Sequence, residues 1–105
     1  MGKIIIIGSE GFTGKYLIET LGKKKIDFIN VDLIAKTSNY YYQCDIREKK
    51  SLSKIPLNSN DIVVHLAAVQ YHLNVPSRKK RDIFFLETNF LGTKNILEWM
   101  RNANC

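Results

Sequence analysis

The sequence predicts an α/β fold, a parallel sheet with helices on both faces. Three observations carry that prediction. The chain opens on Lys3-Ile-Ile-Ile-Ile7, a β-branched run with no polar position among its isoleucines, the composition of a strand buried on both sides. The run stops at Gly8-Ser-Glu-Gly-Phe-Thr-Gly14, a glycine-rich turn that leads into helical sequence. From there strand-like and helix-like segments alternate, which implies parallel pairing through right-handed crossovers.

In chain order, Lys15 to Leu21 reads as the first helix. Gly22 and Lys23-Lys24-Lys25 supply its C-terminus, with cations at the negative end of the dipole. Ile26 to Val31 is a second strand ending at Asp32, and residues 34–39 are polar enough for a loop. Tyr40-Tyr-Tyr-Gln-Cys44 is a short third strand, and Asp45 to Lys54 a helix or helical turn. Pro56 to Asn60 is turn-rich, and Asp61-Ile-Val-Val-His-Leu66 is the fourth strand. Ala67 to Arg81 reads mostly as loop. From Asp82 to about Asn102 a single long helix is expected, with Phe85, Asn89, Gly92, Ile96 and Met100 forming one buried stripe.

A chain of 105 residues fits one domain, and 45% hydrophobic with 25% charged residues argues against disorder. Its longest apolar run is far too short to span a bilayer. Met1-Gly-Lys before four isoleucines lacks the apolar core and cleavage site of a secretory signal, and Ile6 stands where myristoylation calls for Ser or Thr. Cys44 and Cys105 show no framework spacing and fit free thiols in a reducing cytoplasm. Lys23-Lys24-Lys25 and Arg78-Lys79-Lys80-Arg81 supply seven of the sixteen basic residues behind the net charge of +6. Neither cluster is interleaved with aromatics or belongs to a nucleic-acid motif, so solvated surface is the expectation and nucleic acid is disfavoured. A basic surface also suits anionic cofactors.

Gly8, Gly11 and Gly14 are spaced G-x-x-G-x-x-G between a buried strand and a helix. Such glycines let the backbone approach a phosphate, and the helix N-terminus points its free N–H groups and positive dipole at it. Asp32 follows Gly14 by eighteen residues, at the end of the second strand. A carboxylate there accepts hydrogen bonds from both adenosine-ribose hydroxyls and repels a 2′-phosphate, favouring NAD over NADP, although Lys36 lies close by in sequence. A P-loop is excluded by counting: five residues, not four, separate Gly8 from Gly14, and Tyr16 follows Lys15 where Ser or Thr is required.

In order, Gly8 to Gly14, Asp32, Asp45-Ile46, His65-Leu-Ala-Ala68 and Asn89-Phe-Leu-Gly-Thr-Lys-Asn95 resemble the landmarks of the extended short-chain dehydrogenases/reductases, the NAD-dependent epimerase/dehydratase family. The resemblance covers residues 1–105 as the N-terminal part of a single NAD(P)-binding Rossmann domain. It implies an incomplete Rossmann-like sheet of about four strands, order 3-2-1-4, whose fourth strand is an apolar edge open to a partner chain. It further implies that the backbone around Gly8, Gly11, Phe12, Thr13 and Gly14 meets the cofactor pyrophosphate and that Asp32 holds the adenosine ribose. By the same resemblance Asp45 and Ile46 border the adenine, Leu66, Ala67 and Ala68 pass close to the cofactor, and Asn89 anchors the long helix near it.

Plainer readings stand beside these. His65 fits a packed structural histidine, Asn89 a satisfied core amide, and Asp45 a helix cap. Tyr71 and His72 suit a substrate entrance or an exposed loop equally, and the three consecutive tyrosines are ordinary strand residues. The family's chemistry rests on a Tyr-x-x-x-Lys pair, and no tyrosine here has a lysine four positions on. The expectation is therefore a cofactor-binding fragment, catalytically inert alone, of an enzyme acting on a nucleotide sugar. The rival expectation is a non-enzymatic NAD(P)-binding module or subunit that pairs with a partner.

Overall fold

The computed structural model describes residues 2–36, 38, 40–68 and 83–105. Four parallel strands, β1 (Ile4–Ile7), β2 (Phe28–Asp32), β3 (Tyr41–Gln43) and β4 (Ile62–His65), form one sheet in the order β3-β2-β1-β4. The helices are α1 (Phe12–Lys23), α2 (Lys49–Ser53) and α3 (Gly92–Asn102), the last preceded by a π-helical segment, Leu86–Leu91. This is the Rossmann-like topology expected. Ile7 lies opposite both Val31 and His65, so β1, β2 and β4 end level, and the residues that follow them share one edge of the sheet.

The isoleucine run accounts for the centre of the molecule. Ile5 and Ile7 pack with Ile29, Val31, Cys44, Ile46, Leu52, Ile55 and Ile96, so that one sheet face is closed by α2 and α3. Ile6 alternates to the opposite face and is equally buried. At the other end of the strands Asp61 ties β1 to β4. Its carboxylate accepts from the Lys3 backbone N–H (2.9 Å), the Lys3 ammonium (2.7 Å) and the Asn58 N–H (2.8 Å). Burial pushes this carboxyl upward, but the Lys3 and Asn58 donors outweigh burial and hold it below the usual range.

Element boundaries shift where capping, not periodicity, decides them. Helix α1 begins three residues earlier than expected, because extended Gly11 (φ −77°, ψ 174°) already serves as its N-cap. Gly22 does not end it. The helix closes on a Schellman arrangement in which Lys25 takes the left-handed conformation (φ 56°), its N–H bonding the Gly22 carbonyl while Ile26 N–H bonds that of Leu21. Helix α2 is shorter than expected, and its N-cap is Glu48, not Asp45.

The last helix departs most. Residues 83–102 are helical as expected, but Leu86–Leu91 follow π geometry, so Gly92 N–H bonds the Glu87 carbonyl five residues back. The wider turn breaks the three- and four-residue spacing from which a single stripe follows. Gly92 and Ile96 are buried as expected, whereas Asn89 is exposed. The buried amide is Asn95, which donates to the Ile46 carbonyl at 2.9 Å. The expectations for residues 69–82, among them Tyr71, His72, the Arg78–Arg81 cluster and the helix start at Asp82, lie outside the described residues. Among the described residues β4 pairs only with β1, and Ile62 on this edge is 60% exposed, the open apolar edge expected.

Candidate functional site

At the level carboxyl ends of the strands lies a cavity of about 340 Å³. Its walls come from the turn after β1 (Gly8, Glu10, Gly11), the end of β2 (Asp32, Leu33, Ile34), the stretch after β3 (Cys44 to Arg47), the stretch after β4 (Leu66, Ala67, Ala68) and the last helix (Phe84, Thr88). Open α/β sheets bind their ligands at this edge, where the strand order reverses on either side of the first strand.

The glycine turn is shaped by contact. Gly8 has φ +94°, and a Cβ on it would lie 2.7 Å from the Ala67 nitrogen and 2.9 Å from the Leu66 carbonyl carbon. The β1 turn and the segment after β4 are thus as close as backbones can be. Gly14 is held against the same turn, since a Cβ there would sit 2.4 Å from the Gly8 oxygen. Gly11 differs. Its backbone is ordinary, and the nearest protein atom to its missing Cβ is the Gly8 oxygen at 3.3 Å. It lines the cavity and heads a helix with no side-chain cap. The first-turn amides of α1, those of Phe12 and Thr13, are thereby left for solvent or a ligand. The Phe12 ring itself turns outward, 81% exposed, edge-on to Tyr16.

Asp32 is fastened to this turn. Its Oδ2 accepts the Glu10 N–H at 2.8 Å, and its Oδ1 accepts the Leu33 N–H at 2.6 Å. Asp45 is held differently from the capping role considered for it. Its carboxylate receives the Arg47 N–H (3.0 Å) and the Arg47 guanidinium, with Nη2 at 2.7 Å from Oδ2. The Arg47 side chain is the main reason the Asp45 carboxyl lies below the usual range. Arg47 in turn sits 5.6 Å from the Phe84 ring centroid, a cation–π contact that joins the stretch after β3 to the last helix across the cavity.

Of the residues singled out in the sequence, the structure gathers Gly8, Gly11, Asp32, Asp45, Ile46, Leu66, Ala67 and Ala68 around one cavity. Gly14 packs against the Gly8 turn from behind, and Phe12, Thr13 and Asn89 do not line the cavity. Glu10, Arg47, Phe84 and Thr88 line it without having been singled out. Arg47 could have been found as a cation two residues from Asp45; Phe84 and Thr88 carry no sequence signal of their own. His65 faces Thr93, Nε2 to Oγ1 at 2.9 Å. Thr93 donates its one proton to the Asn89 carbonyl (2.8 Å), so His65 must be the donor through Nε2–H. Burial pushes the His65 pKa down, which keeps the ring neutral and fits a packed structural residue.

The lining fits an adenine dinucleotide: uncapped amides and a bare glycine can donate to or approach phosphate, a fixed carboxylate can accept from vicinal hydroxyls, and small alanines run along one wall. Among the described residues no group of three His, Cys, Asp or Glu could hold a metal ion, and no helix is long and apolar enough to cross a membrane.

Comparison with known proteins identifies the family. The model of the NAD dependent epimerase/dehydratase family matches residues 4–105. The chain is 33% identical to a UDP-N-acetyl-alpha-D-glucosaminuronate decarboxylase of Bacillus cytotoxicus, over 91% of this chain and 32% of that one. It is 30% identical to a putative UDP-glucose 4-epimerase of Methanocaldococcus jannaschii, over 93% and 33% respectively. Among solved structures, the UDP-glucose 4-epimerase of Thermus thermophilus in complex with NAD superposes with a TM-score of 0.73 at 21% identity, covering 96% of this chain and 34% of that one; this likeness bears on the fold. The chain spans about a third of the length of these relatives.

Proposed function

The chain belongs to the NAD dependent epimerase/dehydratase family, and from that premise we propose that it is the NAD-binding portion of an enzyme that acts on a nucleotide sugar. The observation that carries the reading is the bond from Glu10 N–H to Asp32 Oδ2, which fixes a carboxylate beside the glycine turn inside a single cavity. In this reading the α1 amides take the pyrophosphate, and Asp32 accepts from the adenosine-ribose hydroxyls. Asp45, aimed by Arg47, and the Ile46 backbone border the adenine, and Ala67 and Ala68 leave room beside the nicotinamide half. Bound NAD supplies hydride transfer; this chain supplies position and charge. The proton chemistry of the intact enzyme falls to residues other than these. The nucleotide-sugar class is supported by relatives whose names specify UDP-sugars.

Calorimetric titration with NAD and NADP tests this. NAD binding that Asp32→Ala weakens about tenfold or more, for loss of two charge-assisted hydrogen bonds, is the expected result. Absence of binding, or tighter binding of NADP, refutes it. One observation favours a second reading, a binding module completed by a partner chain: Ile62 is 60% exposed on the open β4 edge. A defined complex in which that edge becomes protected, with no turnover, would select it.

A further inference from the structure

Three carboxylates line the cavity, and two of them carry a cation. Asp45 is paired with Arg47, which is itself part of the wall. Glu10 is paired with Lys36, Oε1 to Nζ at 2.8 Å, although 26 residues separate them. Asp32 makes no ion pair among the described residues; backbone amides hold it. One of those amides belongs to Glu10, so the Glu10–Lys36 pair stands immediately beside the proposed ribose carboxylate.

Resting on the dinucleotide reading of this cavity, we propose that Glu10 and Lys36 form a cofactor-discriminating pair. Glu10 neutralises and anchors Lys36 beside the proposed ribose carboxylate, so that a 2′-phosphate meets Asp32 while the Lys36 ammonium is already engaged. The geometry gives this role to Glu10 and not to Asp32 alone. The Glu10 side chain is mostly covered, 16% exposed, and its backbone is locked to Asp32. The Lys36 side chain is 51% exposed and long enough to swing once its partner is gone. Lys36 also lies 5.9 Å from the Tyr41 ring centroid, and the Tyr41 hydroxyl donates to the Ile34 carbonyl in the cavity wall. The ammonium is therefore kept at the cavity rim. The negative field there shows in Tyr41, whose pKa is pushed up to about 12 by burial first and then by Asp32 and Glu10.

The test is calorimetric titration of NAD and NADP into the wild type, Glu10→Gln, Lys36→Ala and the double variant. Glutamine keeps the size and a hydrogen-bonding oxygen but releases the charge. Glu10→Gln is expected to lower the NADP-to-NAD ratio of dissociation constants about tenfold, one charge-assisted hydrogen bond to the phosphate. Lys36→Ala added to it is expected to abolish most of that change. An unchanged ratio in Glu10→Gln overturns the proposal. So does a gain that persists in the double variant, since Glu10 would then act through its own charge and not by holding Lys36. If the wild type binds neither dinucleotide, the reading of the cavity falls and this inference falls with it; binding of NAD with a ratio indifferent to Glu10 overturns the inference alone.

Discussion

Gly8→Ala is the substitution in which sequence, fold and site meet. The residue sits at φ +94°, outside the conformations an L side chain accepts without strain. Holding alanine there costs about 1–3 kcal/mol. The added methyl would also lie 2.7 Å from the Ala67 nitrogen and 2.9 Å from the Leu66 carbonyl carbon. Both are backbone atoms, so no rotamer change relieves the overlap, and the shift adds about 1–3 kcal/mol more. A total of about 2–6 kcal/mol corresponds to a fall in Tm of roughly 10 °C or more for a domain of this size. The control is Gly22→Ala, inside α1, where a Cβ meets nothing within 4 Å. There, alanine is expected to stabilise by about 1 kcal/mol. Urea and thermal unfolding followed by circular dichroism measure both. A Gly8→Ala variant within 0.5 kcal/mol of wild type would refute the claim that the β1 turn is packed directly on the segment after β4.

Other consequences can be measured on the same material. Arg47→Ala removes the fork on Asp45 and the contact with Phe84, so the Asp45 carboxyl should titrate closer to the ordinary carboxylate range. Adenine-nucleotide affinity should fall roughly fivefold, the scale of a partly exposed cation–π and charge-assisted contact. Carbon-13 NMR of the aspartate carboxyls reads the first effect and titration the second; an unmoved Asp45 would contradict the assignment. His65 has a depressed pKa when folded, so the unfolded chain binds its proton first as the pH falls. Its contribution to stability is complete above about pH 6.5 and is lost as the pH drops from there through the lower folded value. Asp45 and Asp61, also depressed, contribute above the ordinary carboxylate range and lose that contribution only on further acidification. Urea midpoints from pH 7.5 to 5 should decline, and His65→Asn should flatten the decline.

What was legible in the sequence followed from strong local signals. Four consecutive β-branched isoleucines stopped by a glycine favour a buried strand, and glycines at positions 8, 11 and 14 between it and amphipathic sequence specify a tight turn into a helix. Asp32, placed by its distance from that turn, arrives in the cavity because parallel pairing puts Ile7 beside Val31. What was hidden depends on contacts between distant segments or on helix phase. The Glu10–Lys36 pair joins two loops. The π turn is a backbone choice with no compositional mark, and it carries Asn89 off the face on which Gly92 and Ile96 are buried. Arg47 is adjacent in sequence to what it holds, but Phe84, its other contact, comes from the far end of the chain. The Lys25 cap shows the limit of residue preference: a left-handed position that favours glycine is filled by lysine, while Gly22 stays inside the helix.

In the proposed function, one cavity at the carboxyl edge of the sheet binds NAD through the glycine turn and Asp32. Amide chemical-shift mapping during an NAD titration tests it most directly. Saturable shifts are expected to concentrate at Gly8, Gly11, Phe12, Thr13, Asp32, Leu33, Ile46 and Ala67, with little change at Asn58 and Asp61 on the opposite edge. Shifts clustered on that opposite edge, or none at saturating NAD, would contradict it.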